Sequence, residues 1–484
     1  MPWWLSGWFA RLLLANNLVC LISHFQIFHI TIVNNILDVL TKWCEQNSVI
    51  GVDLEISAIV TAVPAGIAFG GTLGSWLTDS LGRRYTLLGV SCTQVAAALM
   101  VIVSYEISSV LLLIGTRFVL GVAAGVGMTA AWLFVLETPP KKYRPLFGAI
   151  FVVHLGLGDI LATWLTQSSM FGHQHGWHVA MAVGCVPSLL YVIIALWLRE
   201  SPRHLYHRQA SNVSRHLEKS INFYQGEHSL TSTLRDLAEE IETQRGQPII
   251  SYTHLWRSAS LRRPLMLCVF LAACFHFDGH TVWLCYSTTI MELSGFANST
   301  ARHATMCIML FKFVPTLFIP MITDRFGRRP LTLIGGCVCL AMLVLMVLLT
   351  SLMPNTHYKA TLCTISVVVL MVCSALVTCT MESMFTEMFP AYARDKSRTI
   401  LQSVSWTFYS VSLAIFPLLY LNGVSIGASL LPYLCVFGVC YAIMLVKLPE
   451  TKQQSFHHIY TTYFCDDNER RALFFDDRIQ LSNL

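Results

Sequence analysis

Ionisable side chains lie inside segments of this sequence that are otherwise apolar. They are His24, His29, His154, His276, Asp278, His280, Lys312 and Glu382. A charge at the centre of a bilayer costs about 2.5–3.5 kcal/mol even on lenient insertion scales, so such groups are expected to be paired or to face water. We interpret Lys312 as the partner of Glu382 or Asp278. Such a pair could contact a solute or only bridge the eighth and tenth apolar segments.

The composition indicates that lipid-facing elements position these groups. Of 484 residues, 55% are hydrophobic and only 12% are charged. Soluble domains have about a quarter of their residues charged, so much of this surface is expected to face lipid. A crossing helix needs about 20 apolar residues. Apolar runs lie at 13–36, 57–78, 85–105, 109–136, 146–168, 178–198, 264–290, 303–323, 330–352, 361–386, 399–420 and 428–447. The sequence therefore predicts an all-α membrane protein with twelve transmembrane helices.

Basic residues are concentrated in alternate loops. The loops after the second, fourth, eighth and tenth segments contain Arg83, Arg84, Lys141, Lys142, Arg144, Arg325, Arg328, Arg329, Arg394, Lys396 and Arg398. The intervening loops contain few, so the positive-inside rule predicts that both termini are cytosolic. On this topology Asn298, in an Asn-Ser-Thr sequon, lies on the outer side and is a candidate glycosylation site.

One longer polar stretch divides the apolar segments six and six. Its amphipathic spacing at 212–224 and 231–243 predicts short helices under the cytosolic face. The predicted organisation is a six-helix bundle over 1–199, a cytosolic loop over 200–262, a second six-helix bundle over 263–452 and a cytosolic tail over 453–484.

Several classes of protein are excluded by the residues present. The 16 cysteines lie mostly in apolar runs, which is typical of small hydrophobic side chains rather than of a disulfide framework. Metal-ligand spacing, a phosphate loop and a nucleophile elbow are all missing from the sequence, so we expect neither an enzyme nor a cofactor. The net charge of +5 is not a nucleic-acid signal. The expected partners are a small-molecule substrate and the lipid bilayer.

Short motifs recur at equivalent positions in the two halves. They follow the second and eighth segments, close the fourth and tenth, and end each half. The pairs are Gly74-x4-Asp79-x2-Gly82-Arg83-Arg84 with Asp324-Arg-Phe-Gly327-Arg328-Arg329, Glu137-x2-Pro140-x3-Arg144 with Glu387-Met-Phe389-Pro390-x3-Arg394, and Arg199-Glu200-Ser201-Pro202-Arg203 with Leu448-Pro449-Glu450-Thr451. This repeat predicts two pseudo-symmetric bundles. Gly121 and Gly125 of the fourth segment are expected to allow close helix packing.

The charged residues of these motifs are expected to pair at the cytosolic ends of the helices. The predicted cytosolic gating network is Asp79, Arg83, Arg84, Glu137, Arg144, Glu200, Asp324, Arg328, Arg329, Glu387, Arg394 and Glu450. A cluster that forms when the cytosolic side closes, and separates when it opens, would bias a two-state equilibrium. The alternative is that the arginines serve only to anchor the topology.

These motifs resemble those of the sugar porters of the major facilitator superfamily, especially the facilitative glucose transporter family. The resemblance covers roughly 13–452, and further matches are Gln26, Arg117-Phe-Val-Leu-Gly121, Gly148-Ala149, His154 and Trp406. It implies the major facilitator fold and a carrier that alternates access between the two sides of the membrane. It also implies a small polar or charged solute as substrate, with a hexose among the candidates. The plasma membrane is the default location, and an endolysosomal membrane is the alternative.

The sequence departs from this family where the resemblance would place the substrate. The family's Gln-Gln-x-Ser-Gly-x-Asn pattern is replaced by Phe275-His276-Phe277-Asp278-Gly279-His280-Thr281. Leu155 replaces a glutamine, Lys312 an asparagine and Glu382 a tryptophan. A buried polar group without a partner costs about 1–3 kcal/mol, which argues against ordinary hexose binding. The candidate substrate-binding residues are Gln26, His154, His276, Asp278, Gly279, Thr281, Lys312, Glu382 and Trp406.

Three functions are compatible with these residues. We favour a uniporter of a small polar solute, because Ile30 stands where proton-coupled sugar porters have an aspartate. An organic-ion or proton-coupled carrier on the same fold is the first alternative, since imidazoles titrate near neutral pH. A receptor or scaffold that does not transport is the second. We interpret His24 and His29 as satisfied interior histidines rather than ligands.

Overall fold

The computed structural model describes residues 7–208, 214–226, 229–245, 250–454 and 456–464; the side chains at 24–26, 240, 241, 243–245, 320, 324 and 457 lie outside the described part. The helices are α1 (Gly7–Thr31), α2 (Val33–Asn47), α3 (Val52–Leu81), α4 (Arg83–Glu106), α5 (Val110–Glu137), α6 (Arg144–Leu165), α7 (Trp177–Val183), α8 (Val186–Ile194), α9 (Pro202–Arg208), α10 (Arg215–Gln225), α11 (Leu230–Arg245), α12 (Tyr252–Arg257), α13 (Ala259–His276), α14 (His280–Ser294), α15 (Asn298–Thr316), α16 (Ile319–Phe326), α17 (Arg328–Leu352), α18 (His357–Glu387), α19 (Ala391–Leu421), α20 (Ile426–Lys447) and α21 (Phe456–Tyr463).

Eleven segments of the described chain are long and apolar enough to cross a membrane. Two of them are helix pairs, α7 with α8 and α13 with α14. A further pair, α15 and α16, lies where the eighth crossing was predicted, and Arg302 and Lys312 make it more polar than the others. Pro315 has no backbone N–H to donate within the last turn of α15, and the helix ends just after it. The prediction of an all-α protein with twelve membrane helices is confirmed.

The seventh crossing segment is interrupted rather than continuous. α13 ends at His276 and α14 begins at His280. Gly279 has a φ of +95°, a left-handed conformation that glycine adopts without steric cost. A Cβ at Gly279 would lie 3.1 Å from Leu343 Cδ1. The run predicted over 264–290 is therefore two helices joined by a glycine turn.

The first crossing segment extends further than predicted. α1 is followed after one residue by α2, which continues well past the end of the predicted run at 13–36. α2 is amphipathic and buries one face, including Asn34, Asn35 and Trp43. Three polar residues in the stretch Val33–Leu40 hid this helix from a search for continuous apolar runs.

Helices α9, α10, α11 and α12 lie in the polar insert between the two halves. Ser214 caps α10, its hydroxyl accepting from the backbone N–H of Leu217 at 3.3 Å. Leu217 and Ile221 of α10 pack with Tyr206 of α9 and Leu237 of α11 in a small apolar cluster. The insert is thus a folded layer that covers part of the first half.

Close backbone contact joins the second and fourth crossing segments. A Cβ added at Gly121 of α5 would lie 2.2 Å from the carbonyl oxygen of Val63 in α3, and one at Gly125 would lie 2.5 Å from that of Ile67. Only glycine permits this approach, as expected for small residues at helix interfaces in membranes. The first half therefore contains a tightly packed helix pair.

The two halves meet along several pairs of helices. α3 packs on α19, α6 packs on α15, and α2 packs on α14. Each pair takes one helix from the first six crossing segments and one from the last six. Side chains on these faces can therefore respond to movement of one half against the other.

Candidate functional site

An ion pair joins the two halves near the middle of the membrane-spanning region. Lys312 Nζ in α15 lies 2.9 Å from Asp159 Oδ2 in α6. Thr31 Oγ1, at the end of α1, donates to Asp159 Oδ1 at 2.5 Å. The Asp159 side chain is 4% exposed and that of Lys312 is 24% exposed. A nearly buried carboxylate thus neutralises the lysine at membrane depth.

The partners predicted for Lys312 are wrong. The Glu382 carboxylate lies 3.8 Å from a guanidinium nitrogen of an arginine in α19. Asp278 accepts a hydrogen bond from the backbone N–H of His280 in its own turn. Glu382 is about one and a half turns from the cytosolic end of α18, whereas Lys312 is near the middle of its crossing segment, so the two differ in depth. Sequence reasoning missed Asp159, although a lone carboxylate inside an apolar run is marked by the same rule that selected Lys312.

A carboxylate stabilises the turn that interrupts the seventh crossing segment. Asp278 Oδ1 accepts hydrogen bonds from the backbone N–H of His280 at 2.8 Å and from its Nδ1 at 2.7 Å. The His280 ring stacks on Phe275 with centroids 4.3 Å apart. Gly279 faces leucines of α17 and α18. Asp278 and Gly279 therefore shape the turn, and the carboxylate satisfies an N–H in the first turn of α14.

A polar seam runs between the seventh and eleventh crossing segments. His276 Nε2 lies 2.6 Å from Ser405 Oγ, and its ring packs edge-on against Tyr409 with centroids 5.4 Å apart. Trp406 lies beside the same tyrosine, at 5.2 Å between centroids. Thr281 Oγ1 accepts from a serine of α19 at 3.0 Å. Three predicted residues therefore lie in this seam: His276 and Thr281 contact serines of α19, and Trp406 belongs to α19. Serine and tyrosine carry no charge, so Ser405 and Tyr409 were not selected from the sequence.

The seam and the ion pair are neighbours. Tyr409 lies within electrostatic range of Asp159. His154 precedes Asp159 by about one and a half turns of α6, and its Nδ1 lies 2.8 Å from the carbonyl oxygen of Ile150. The side chain of Gln26 lies outside the described residues. Together these groups form a candidate site of mixed hydrogen-bonding and aromatic character between the halves.

Glu382 lies apart from this site, towards the cytosolic end of the passage. Its carboxylate is 3.8 Å from Arg398 Nη2, and both side chains are about one-third exposed. The Arg398 guanidinium lies over the ring of Trp132 in α5, 5.6 Å from its centroid. This cation–π contact crosses between the halves. Glu382 therefore pairs with an arginine of α19 and not with Lys312.

A second set of contacts between the halves closes the side predicted to face outward. Asn34 Oδ1 accepts from the backbone N–H of Thr288 at 3.0 Å, and Asn35 Oδ1 accepts from Thr288 Oγ1 at 2.7 Å. Arg302 lies 3.3 Å from Asp38 Oδ1 and donates to two backbone carbonyls of the first half. We call these residues the outer seal. Sequence reasoning selected none of them for this role.

The first half has a buried network at the end that is predicted to face the cytosol. Arg83 Nη2 lies 2.8 Å from Glu137 Oε1, and Ser201 Oγ donates to Glu137 Oε2 at 2.5 Å. Glu200 Oε1 accepts from the backbone N–H groups of Arg83, at 2.9 Å, and of Arg84, at 3.2 Å. We call this the first-half network; Ser201 is a member that the sequence did not mark.

The second half repeats this arrangement. Arg328 Nη2 lies 2.9 Å from Glu387 Oε1, and Thr451 Oγ1 donates to Glu387 Oε2 at 2.5 Å. Glu450 accepts from the backbone N–H groups of Arg328, at 3.0 Å, and of Arg329, at 3.2 Å. We call this the second-half network. The repeated motifs of the sequence thus produce repeated bonds.

Four other predicted members have different places. Asp79 lies 3.8 Å from Arg83 but is 73% exposed. Within the described part of the chain, Arg144 and Arg394 form no ion pair, and the side chain of Asp324 lies outside it. The network glutamates bind Arg83 and Arg328 instead, so the pairing predicted for Arg144 and Arg394 is not formed among the described residues of this structure.

A histidine that the sequence did not mark completes the first-half network. His204 Nδ1 accepts from Arg83 Nη1 at 2.9 Å, so this nitrogen carries no proton. Burial first, and then the positive charge of Arg83, lower the pKa of His204 to about 4. Burial raises the pKa of Glu200, opposed by the N–H groups that it accepts from. The network therefore holds a neutral imidazole at neutral pH.

Comparisons with known proteins agree with this architecture. Residues 16–463 match the family model described as "Sugar (and other) transporter". The human solute carrier family 2, facilitated glucose transporter member 7, is 26% identical over 411 residues, covering 83% of this chain and 78% of the relative. Member 5 from Rattus norvegicus is 23% identical over 404 residues, with 83% and 80% coverage.

Solved structures show the same fold. The inward open conformation of the xylose transporter XylE from E. coli matches with a TM-score of 0.76 at 18% identity, covering 93% of this chain and 100% of that one. Its partially occluded inward open conformation matches with a TM-score of 0.71. The family match, the membrane helices and the duplicated networks together mean that this chain belongs to the sugar transporter family and is a multi-pass membrane transporter, not an enzyme.

Proposed function

We propose that this chain is a uniporter for a small, uncharged, polyhydroxyl solute. The Asp159–Lys312 pair supports this most directly, because it cancels the charge of Lys312. A lysine that is already paired offers no free counter-charge to an anion, whereas the hydrogen-bonding groups near it suit a neutral solute. The named substrates of the glucose and xylose transporters to which the chain is similar belong to this chemical class.

The substrate would contact the seam between the seventh and eleventh crossing segments. In this proposal His276 and Thr281 offer donors and acceptors, and Trp406 offers an aromatic face to a sugar ring. His154 of the fifth segment and Lys312 of the eighth offer further contacts, with Gln26 of the first as another candidate. Asp278 and Gly279 act indirectly, by shaping the turn that presents His276.

Transport without proton coupling is supported by the surroundings of Arg117. Its Nε donates to the carbonyl oxygen of Ile59 at 2.6 Å, and its Nη2 donates to that of His29 at 3.0 Å. Backbone carbonyls cannot be protonated in the working pH range, so these two bonds do not depend on pH. Ile30, next to His29, is an aliphatic residue. Asp159 is the carboxylate whose titration remains to be tested.

Alternating access would exchange the outer seal for contacts on the other side. The seal is formed in this structure, and the ion pairs of the two cytosolic networks each join residues within one half. This asymmetry supports an inward-facing state, and the inward open transporter matches the fold well. Opening outward would require the asparagine and Arg302 contacts to separate.

The location and topology form part of the same proposal. We place both termini in the cytosol because the basic loops of both halves lie on one side. The two six-helix bundles then move against each other, joined by the insert, in the plasma membrane. Asn298 is exposed at the opposite end and donates to Glu292 at 2.5 Å, a bond that glycosylation would replace.

Uptake by the purified chain in proteoliposomes tests the proposal. A panel of labelled hexoses, polyols, organic anions and organic cations is offered with and without a pH gradient. We expect saturable uptake of a neutral solute that does not change when the gradient is collapsed. Anion uptake without competition by neutral solutes would favour an organic-ion carrier, and binding without flux would favour a scaffold.

Matched variants connect this result to the ion pair. Asp159→Asn leaves Lys312 uncompensated, and we expect neutral uptake to fall and anion competition to appear. The double variant with Lys312→Gln removes both charges and should regain neutral uptake. If Asp159→Asn keeps the same rate and selectivity as the unaltered protein, the pair has no role in selecting the solute.

A further inference from the structure

A basic cavity lies at the cytosolic surface of the first half, outside the passage. It has a volume of about 150 Å³ and is formed by the end of α3, the start of α4, the segment between α8 and α9, and α9 and α10. Arg84, Arg199, Arg208 and Lys219 line it, with Glu200 and His204 at its base. Four basic side chains from different segments therefore converge on one space.

The one carboxylate among these lining residues is already engaged. Glu200 accepts from the backbone N–H groups of Arg83, Arg84 and Ser201. By contrast, within the described residues no carboxylate lies within 4 Å of the side-chain nitrogens of Arg199, Arg208 or Lys219. The cavity thus has an excess of positive charge that nothing described in the chain neutralises.

The low pKa of His204 has nearby positive charges among its causes. Its ring is buried at the base of the cavity, and the charges of Arg83 and Arg208 add to the effect of burial in lowering its pKa to about 4. Burial is the largest cause and opposes any charge, but the contributions of Arg83 and Arg208 arise from a positive potential, which attracts an anion.

The cavity opens beside the membrane surface. Leu81 and Tyr85 lie on its rim, 50% and 55% exposed. Leu196 and Trp197 are also exposed nearby, at the end of the sixth crossing segment. Exposed leucine, tyrosine and tryptophan at the end of crossing helices are typical of the bilayer interface. An anion that reaches the cavity from the lipid headgroup layer would therefore enter without crossing the bilayer core.

We propose that this cavity binds a phosphate group, supplied by an anionic phospholipid headgroup or by a soluble phosphate ester. Arginine binds phosphate oxygens through paired donors, and the guanidinium of Arg84 has donors left after its Nε bonds the carbonyl oxygen of Ala195 at 2.8 Å. The bound phosphate would contact α4, α9 and α10 at the same time and so stabilise the first-half network. This site is independent of the transported solute.

The experiment compares the full-length chain with a double variant of the cavity, Arg208→Gln with Lys219→Gln. Both residues are exposed and lie outside the networks described above. Affinity is measured in nanodiscs of neutral phosphatidylcholine doped with phosphatidic acid, and separately in neutral nanodiscs with inorganic phosphate or glycerol 3-phosphate. The matched control is Arg257→Gln with Arg262→Gln, which removes the same charge from exposed positions of α12 and of the first turn of α13, away from the cavity.

We expect the cavity variant to bind phosphatidic acid roughly tenfold more weakly and the control to bind as the unaltered protein does. A loss for phosphatidic acid alone identifies the lipid as the source, whereas an equal loss for the soluble esters identifies a free phosphate. Unchanged unfolding temperature of the variant in neutral nanodiscs shows that it is folded. Equal losses in both variants, or in neither, would overturn the proposal.

Discussion

The two cytosolic networks have the same bonds but different surroundings. The arginine–glutamate distances are 2.8 and 2.9 Å, and each second glutamate accepts the same pair of backbone N–H groups. Glu137 of the first-half network is 2% exposed, whereas Glu387 of the second is 28% exposed. The helices of the insert cover the first network. A repeated motif thus sets the geometry, and its burial sets how much each bond contributes.

The largest expected difference comes from neutralising the central glutamate of each network. Glu137→Gln leaves Arg83 buried and uncompensated, which costs about 3–5 kcal/mol of unfolding free energy. Glu387→Gln leaves Arg328, whose side chain is 14% exposed, beside a position that water reaches because Glu387 is 28% exposed, and should cost about 1 kcal/mol or less. Thermal unfolding of both variants in one detergent measures the difference. Equal losses would mean that burial by the insert does not strengthen the first network.

Removing the hydroxyl that supports each glutamate is a smaller change. Ser201→Ala leaves Glu137 Oε2 without its 2.5 Å donor in a buried place, and we expect a loss of about 1.5–3 kcal/mol. Thr451→Val removes the matching donor from Glu387, where water can replace it, and we expect about 0.5 kcal/mol. The same unfolding assay applies. A larger effect at Thr451 would reverse the comparison between the halves.

The smallest expected effect is a difference in pH dependence. His204 has a folded pKa of about 4 against an ordinary value of 6.5, so the unfolded chain binds a proton first. Its contribution to stability is therefore complete above pH 6.5, falls as the pH is lowered towards 4, and changes no further below that. His204→Gln should flatten this part of the stability profile, measured by unfolding between pH 7 and 4.

The second half provides the control for this test. The residue equivalent to His204 by spacing from the network glutamate is Gln454, which is exposed. Gln454→His should add no comparable slope, because an exposed imidazole has nearly the same pKa in the folded and unfolded states. A slope as steep as that of the unaltered first half would show that burial is not the cause.

The repeated motifs made the networks predictable from the sequence. Arg83 with Glu137, and Arg328 with Glu387, follow from charge complementarity at equivalent helix ends, and the apolar runs predicted the membrane helices. Ser201, Thr451 and His204 were not predicted, because hydroxyls and histidines at helix ends are common and their partners depend on the fold. The sequence did not show which arginine each glutamate binds, and Glu137 pairs with Arg83 rather than with Arg144.

The centre of the site was harder to predict because pairing across halves depends on helix depth and rotation. A sequence shows that Lys312 needs a partner but not which of the remote carboxylates shares its depth. Asp159 was available in principle, because it is a lone carboxylate inside an apolar run, yet it was not selected. Asn34 and Asn35 of the outer seal lie inside the run predicted at 13–36, but an asparagine carries no charge and its partner in the other half depends on the fold.

The glycine contact between α3 and α5 has a mechanical consequence. With the backbone of each helix against the other, there are no long side chains between them to slide or change rotamer. We therefore expect α3 and α5 to move as one rigid unit, because bending either helix towards the other would force their backbone atoms to overlap. Gly121→Ala would push α3 and α5 apart, so a substitution far from any solute would change the tilt of the helices in the first bundle.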